Sequence, residues 1–233
     1  PSGIPTVDRP ASSASTTVTA LAARLAAAAP GGGAVPAGTR TLAAVPALEP
    51  PEGLEAEAWG SLVHAVLEAA LGRKPRAGRS LEEARRRAEG ALGSATAAEG
   101  AVKRAEALAR VFLDSELGRR ALAAEERHVE LKVAIALGEG PRWAKGSIDL
   151  AFVEAGQVVV VDYKTDASIV PFSHDLQLAA YGRAAAEIFG LPAETWLFFL
   201  YGGGVAQRVV VGGAPELEAR LGEAPREGRH EDP

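Results

Sequence analysis

The chain has 233 residues, with 25 basic and 30 acidic side chains and a formal net charge of −5. Its length suits one α/β domain with an appended segment, and no apolar run approaches the ~18 residues of a transmembrane helix. The absence of cysteine excludes disulfides, thiolate zinc sites and iron-sulfur clusters. Because the first residues lack the basic and apolar regions of a signal peptide, we expect a cytoplasmic location.

Residues 1–51 have the composition of a linker or flexible segment. They contain eight of the 15 prolines, together with Ser/Thr and Gly runs. A short Ala-rich helix is possible over residues 17–29, but its small side chains would bury little area. The chain begins with Pro1 and contains no methionine, so we expect it to be part of a longer polypeptide.

Residues 55–71 predict an amphipathic helix, because apolar side chains recur there at helical spacing. His64 lies four residues after Gly60 and four before Glu68, so the three share one side of that helix. From spacing alone, a lone helical histidine is more often a hydrogen-bonded structural residue than a metal ligand.

Basic residues follow this helix at 73–79 and 85–87. They are the best candidates for contacts with phosphate groups, although a solvated loop and helix face would have the same composition. Residues 99–117 predict a further amphipathic helix.

Residues 129–137 alternate between apolar and polar side chains and predict the first strand. Glu130 lies near its start, on the face opposite Leu131 and Val133. This glutamate is either an acidic member of a site or the polar end of a strand.

The stretch from 146 to 165 predicts a β-hairpin. Ile148, Leu150 and Phe152 alternate with Asp149, so we expect the three apolar side chains on one face and Asp149 on the other. After a turn at 154–157 comes a run of four valines, which is typical of a strand buried on both faces. That strand ends in two charged residues, Asp162 and Lys164.

Asp162 and Lys164 share one face of the second strand, and Tyr163 points away from both. If Ala155 and Gly156 alone form the turn, Asp149 lies opposite Asp162, with Cβ atoms about 4.5 to 5.5 Å apart. Because Ala rarely adopts the positive φ of such a turn, a three-residue loop with a bulge at Gly156 is the competing geometry.

Two carboxylates at this separation repel unless one is protonated or a cation lies between them. A surface salt bridge between Lys164 and one aspartate is the simpler interpretation. Charges at the end of an all-valine strand favour instead a site for a hard cation such as Mg²⁺, which prefers oxygen ligands.

Downstream, residues 176–189 predict a helix with Ser173 as a possible N-cap. Gln177 and Tyr181 lie four residues apart and share one face of it. Residues 195–201 and 205–211 predict a second hairpin, and the charged residues 225–233 predict a frayed tail.

Several of these pieces, in this order and spacing, resemble the core of the PD-(D/E)XK nuclease superfamily, and in particular the RecB-like nuclease domains that are fused to recombination helicases. They span residues 60–181, about half of the chain. The pieces are the G-S-I-D string at 146–149, the V-V-D-Y-K-T string at 160–165, Gly60 with His64 and Glu68, Glu130, and Gln177 with Tyr181.

The resemblance implies an α/β fold over residues 52–224, a restriction-endonuclease-like mixed β-sheet flanked by α-helices. It also implies hydrolysis of DNA phosphodiesters with Mg²⁺ or Mn²⁺ and without an iron-sulfur cluster. The implied metal ligands are the side chains of His64, Asp149 and Asp162 and the backbone carbonyl of Tyr163.

The resemblance gives Lys164 the role of orienting or deprotonating the attacking water, or of neutralising charge on the phosphate. Glu130, Gln177 and Tyr181 would complete the site. The implied partners are DNA, a helicase motor on the same polypeptide and a second helicase-nuclease subunit. Two alternatives remain open, a catalytically inactive nuclease fold that binds DNA or acts as a scaffold, and a metal hydrolase of small phosphoesters.

Overall fold

The computed structural model describes residues 15–20, 50–72, 76–136, 143–165, 173–200 and 204–209. In these ranges the strands are β1 (Ser15–Thr17), β2 (Arg127–Ala136), β3 (Trp143–Glu154), β4 (Gln157–Lys164), β5 (Ala193–Phe199) and β6 (Val205–Val209). The helices are α1 (Ala56–Leu71), α2 (Arg76–Leu92), α3 (Ala95–Leu113), α4 (Glu116–Ala123) and α5 (Ser173–Phe189).

The strands form one mixed sheet in the order β1-β3-β4-β5-β6, with β2 also paired to β3. Pairing is antiparallel for β2 with β3, β3 with β4 and β5 with β6, and parallel for β1 with β3 and β4 with β5. The predicted mixed sheet flanked by helices is therefore confirmed.

Strand β3 is shared by three neighbours. It pairs with β2 along most of its length, whereas β4 pairs only from Leu150 onward and β1 only from Trp143 to Lys145. Since β2 occupies one edge of β3 throughout, β1 and β4 must share the other edge. Residues 146–149 lie in the gap between them, so the sheet is split at this level.

Two hydrophobic cores lie on the two faces of the sheet. The first core packs the sheet against α1 to α4, and the second packs it against α5. The valines of β4 alternate between them, with Val159 and Val161 in the first core, Val158 and Val160 in the second, and all four fully buried. This confirms the prediction of a central strand covered on both faces.

The predicted alternation of β3 is wrong at one position. Leu150 and Phe152 face the first core, but Ile148 faces the second. The neighbouring strand switches faces at the same level, because Val129 packs on the first core and Leu131 on the second. The residue between these two, Glu130, has a φ of 54°, and the regular pairing skips it and Asp149.

The hairpin between β3 and β4 has the predicted two-residue turn. Glu154 pairs with Gln157, and Ala155 and Gly156 take φ values of 49° and 76°. The three-residue loop is not formed. Ala155 accepts a left-handed conformation that is uncommon for a residue with a Cβ atom, because the pairing on both sides of the turn fixes it.

The predicted helix over 99–117 is two helices. Ser94 caps α3 by accepting a hydrogen bond from the backbone N–H of Ala97 at 3.3 Å, and Ser115 caps α4 through Gly118 at 3.0 Å. A serine that satisfies free N–H groups in this way starts a new helix. The helices predicted over 55–71 and 176–189 are confirmed within a few residues, and α5 includes Ser173 as its first residue.

Strand β1 lies inside the stretch that the composition predicts to be a linker, so residues 129–137 do not form the first strand. Val18, directly after β1, is 2% exposed and belongs to the second core. Residues 1–14 and 21–49 and the predicted tail at 225–233 lie outside the described part of the chain. No helix in the described ranges is long and apolar enough to cross a membrane.

Candidate active site

The split in the sheet opens into a cavity of about 670 Å³. Strands β3 and β4 contribute most of its lining, α1 and α5 contribute one side each, and the segment after β1 closes one end. The lining residues are Thr17, Thr19, His64, Lys145, Gly146, Ser147, Asp149, Asp162, Tyr163, Lys164, Thr165, His174, Gln177 and Tyr181.

Asp149 bridges the gap that the diverging strands leave. Its Oδ2 atom accepts a hydrogen bond of 2.8 Å from the backbone N–H of Tyr163, one level beyond the last paired residues Leu150 and Val161. A side-chain oxygen therefore replaces a backbone acceptor of the ladder. Burial on its own raises the pKa of Asp149, but His64, this N–H group and Lys164 together lower it below its usual range.

His64 on α1 faces this carboxylate, with 3.5 Å between its Nδ1 atom and Oδ1 of Asp149. Burial disfavours the charged imidazole, but Asp149, with smaller effects from Asp162 and Glu130, outweighs it and raises the pKa of His64 to about 9. Without a metal ion the histidine is therefore protonated at neutral pH and acts as the counter-ion of the carboxylates.

Glu130 joins the same group from β2. One ligand atom from each of His64, Glu130 and Asp149 lies within 4.8 Å of the others, which is close enough for all three to hold one ion. The left-handed backbone of Glu130 carries its carboxylate to this position, and Ser147 Oγ donates a hydrogen bond of 2.7 Å to it. Lys132 Nζ lies 3.4 Å from the same oxygen.

Asp162 and Lys164 form a buried ion pair at the end of β4, with 2.6 Å between Nζ and Oδ2. Burial and the charge of Asp149 raise the pKa of Asp162 to about 6, although Lys164 opposes the shift. The carboxylates of Asp149 and Asp162 thus repel each other, as their predicted proximity requires. In the described residues, however, the group that could hold one ion includes Glu130 and leaves out Asp162.

The side chain of Tyr163 points away from this pair, as its strand position predicts. Its ring meets Phe112 of α3 edge to face, with 4.8 Å between ring centroids, and its buried hydroxyl has no hydrogen-bond partner in the described chain. Burial, reinforced by Asp149, raises the pKa of this hydroxyl well above its usual range. The side chain therefore anchors β4 in the first core, and its backbone carbonyl remains a predicted ligand.

Gln177 and Tyr181 of α5 line the cavity from the side of the second core. Gln177 Nε2 lies 3.4 Å from the hydroxyl of Tyr181. The Tyr181 ring fills the space above Gly146, where a Cβ atom would lie 2.7 Å from Cε1 and 2.8 Å from the hydroxyl oxygen. The G-S-I-D string needs its glycine for this contact.

Gly60 has a similar role on α1, because a Cβ atom there would lie 3.1 Å from Oγ1 of Thr165. This close approach brings the end of β4 against the helix that carries His64. Two glycines singled out in the sequence thus set the distances between the elements that converge on the cavity.

The basic residues at 85–87 do not face the cavity. Arg85 pairs with Glu99 of α3, and Arg86 and Arg87 pair with glutamates one turn earlier on α2. Residues 73–75 lie outside the described ranges. The solvated helix face is therefore the better interpretation of this cluster.

Sequence reasoning gave no role to Ser147, Lys145, Thr17 or Thr19, all of which line the cavity. The position of Ser147 two residues before Asp149 was the available signal for that residue. No signal in the sequence distinguished Thr17 and Thr19 from the rest of the Ser/Thr-rich linker composition.

The donor set fits a hard divalent cation. It combines two carboxylates with one imidazole, Asp162 adds a third carboxylate in the cavity, and oxygen ligands are those that Mg²⁺ and Mn²⁺ prefer. The pKa of Asp162 is raised by burial and, to a smaller degree, by the charge of Asp149, and a cation in the cavity would favour the charged forms of both carboxylates.

A mixed sheet that gathers carboxylates, a histidine and a lysine at one split fits a metal-dependent nuclease. A model of the PD-(D/E)XK nuclease superfamily matches residues 39–227, and the chain belongs to that superfamily. Nucleases of this superfamily use divalent metals and are generally hydrolases.

Other comparisons add little to this assignment. No curated protein matches the chain. Among solved structures, the protein SSO0001 has 17% identity and a TM-score of 0.35, with 70% of this chain and 82% of that chain covered. The "Putative exonuclease" of Eubacterium rectale has 15% identity and a TM-score of 0.34, with 72% and 81% covered. At these scores neither structure carries an argument about function.

Proposed function

We propose that this chain is a Mg²⁺- or Mn²⁺-dependent DNA nuclease that hydrolyses phosphodiester bonds, and that it is the RecB-like nuclease end of a helicase-nuclease that processes DNA ends. The observation that carries the proposal is the meeting of Asp149, Asp162 and Lys164 in one cavity. One ligand atom each of His64 and Glu130 lies within 4.8 Å of a carboxylate oxygen of Asp149, and Glu130 reaches this group from an adjoining cavity.

His64, Glu130 and Asp149 would hold the ion, with Asp162 and the backbone carbonyl of Tyr163 as further ligands. A bound divalent ion supplies a polarised phosphoryl oxygen and a water of lowered pKa. Because a metal-binding imidazole must be neutral, His64 has to release its proton before it binds.

Lys164 stands beside Asp162 at the end of β4, where its side chain is 14% exposed. From there it neutralises charge that develops on the phosphate, or orients the attacking water. Gln177 and Tyr181 brace β3 from the other side of the cavity, which keeps Asp149 and Asp162 at the same level.

The charge balance favours delivery of the substrate by another domain. With a net charge of −5 and an acidic cavity, the chain by itself should bind DNA weakly, on the order of micromolar or weaker. Binding should need divalent metal and weaken with salt. A helicase motor that feeds the strand into the cavity makes tight intrinsic binding unnecessary, and a cytoplasmic location is part of the same proposal.

End-labelled single-stranded and duplex DNA, incubated with Mg²⁺, Mn²⁺ or EDTA, tests the proposal. We expect cleavage only with metal, and its loss in both Asp162→Asn and Lys164→Ala. The matched control is Lys103→Ala, which removes an exposed lysine that pairs with Glu99 on α3. Undiminished cleavage in either site variant would overturn the proposal.

The same assay separates the two alternatives. Metal-dependent binding of DNA without cleavage under any condition would indicate an inactive nuclease fold. Hydrolysis of bis(p-nitrophenyl) phosphate without cleavage of DNA would indicate a hydrolase of small phosphoesters.

A further inference from the structure

An open polar face extends from the cavity across three strands. It consists of Thr17 on β1, Lys132 and Ala134 on β2, and Lys145 and Ser147 on β3. These residues are direct neighbours, because Lys145 pairs with both Thr17 and Ala134, and Ser147 pairs with Lys132. All are exposed except Ser147, which is half-buried.

The opposite face of the same strands is fully packed. Val133, Ile135 and Ala144 point into the second core against α5. Val18 joins them from the segment after β1 and fixes that segment in place. The open face is therefore a rigid part of the sheet, and its exposure to solvent makes it available to a ligand.

Lys145 lies on this face without a carboxylate partner in the described ranges. Lys132 is held by Glu130 and Lys164 by Asp162. Thr17 lies beside Lys145, and its hydroxyl oxygen already accepts the backbone N–H of Ala20 at 3.1 Å. The hydroxyl proton of Thr17 is thus left to donate to an anion.

The distance from Lys145 to the ligand cluster indicates which anion it meets. Lys145 lies four positions before Asp149, so their Cα atoms are at most about 13 Å apart along the strand. A lysine side chain spans part of this distance, and Lys145 lines the same cavity as Asp149, so its ammonium can reach a phosphate beside the one bound at Asp149. A nucleic-acid strand that passes through the cavity and over the open face would bring a neighbouring phosphate to Lys145.

We propose that Lys145 and Thr17 bind a backbone phosphate of the substrate strand next to the one that is hydrolysed. This inference rests on the proposed nuclease function and adds a substrate-binding role for the segment around β1, which lies outside residues 39–227 of the family match. The face recognises phosphate and sugar rather than base edges, so the contact is independent of sequence.

Fluorescence anisotropy of a labelled single-stranded oligonucleotide in Ca²⁺ measures the contact without relying on cleavage. We expect Lys145→Ala to weaken binding about fivefold and to reduce the slope of log K against log salt by roughly one. Thr17→Val should weaken binding by a smaller factor, and Thr17→Ser should restore it. Lys103→Ala is the control for loss of one exposed lysine.

Cleavage assays separate this contact from the catalytic machinery. Lys145→Ala should raise KM for the oligonucleotide and leave kcat within about twofold of the value for the unmodified protein. Hydrolysis of bis(p-nitrophenyl) phosphate should also stay within about twofold, because this small ester has no neighbouring phosphate. If both Lys145→Ala and Thr17→Val bound the oligonucleotide with unchanged affinity and unchanged KM, the inference would be overturned. An unmodified protein that binds but never cleaves, with binding still weakened by Lys145→Ala, would overturn the nuclease function alone.

Discussion

Ser147 donates a hydrogen bond of 2.7 Å to the carboxylate of Glu130 across the β2–β3 ladder. Glu130 is held there in a left-handed conformation that is unfavourable for a residue with a side chain. Both strands change faces at this level, so the break in the ladder is what turns the Glu130 carboxylate toward His64 and Asp149. Local backbone strain thus positions one ligand of the proposed metal site.

Replacement of Ser147 by Ala should weaken metal binding more than it weakens the fold. Without its hydrogen bond the Glu130 carboxylate has more freedom, and loss of a partner that orients a ligand typically reduces metal affinity about tenfold or more. Titration calorimetry with Mn²⁺ measures the effect. Ser94→Ala is a matched control, because loss of that N-cap should lower the free energy of unfolding by about 1 kcal/mol and leave metal affinity unchanged.

Replacement of Glu130 by Gly should separate strain from function. Glycine adopts positive φ without penalty, so Glu130→Gly should be more stable than Glu130→Ala by about 1 kcal/mol, while both lose metal affinity equally. Urea denaturation in EDTA compares the two variants. Equal stability would show that the left-handed conformation stores no strain.

A Cβ atom at position 146 should disturb the site through Tyr181. Gly146→Ala places a methyl group 2.7 Å from the Tyr181 ring, and overpacking of this kind costs about 1 to 3 kcal/mol. Tyr181→Ala removes the obstacle, so the double variant should be more stable than the sum of the two single effects predicts. Additive effects would mean that the ring moves aside freely.

The stability of the metal-free protein should depend on pH through His64. Its folded pKa of about 9 lies above the ordinary value of 6.5, so the folded state binds the proton more tightly than the unfolded state does. The resulting stabilisation is complete below about pH 6.5 and disappears as the pH rises through about 9.

Thermal unfolding in EDTA tests this pH dependence. The difference in Tm between the unmodified protein and His64→Asn should be largest below neutral pH and shrink toward pH 9.5. Comparison of the two proteins at each pH cancels the titration of groups that do not interact with His64. Asp149 and Asp162 do interact with it, so their contribution is part of the measured difference. A difference that grows with pH would contradict the assigned interaction with Asp149.

The sequence predicted the hairpin and its charged end because those features are local. Four valines define a buried strand, and the alternation after them puts Asp162 and Lys164 on one face. The switch of faces at Asp149 was not predictable, because no residue type marks a left-handed glutamate. Strand β1 was missed for a different reason, since three residues of Ser and Thr owe their strand conformation to pairing with β3 and to the anchor at Val18.

The two-residue turn at Ala155 and Gly156 lies at the far end of the hairpin from the cavity, yet it decides which side chains meet there. A strand shifted by one residue presents the opposite set of side chains. If the turn kept two residues, one residue inserted here would bring Tyr163, or Val161, to the level of Asp149 and move the Asp162 carboxylate out of line. The length of this loop is thus under the same constraint as the acidic residues themselves. Because both of its residues have positive φ, related chains should keep residues that tolerate this conformation and seldom change their number.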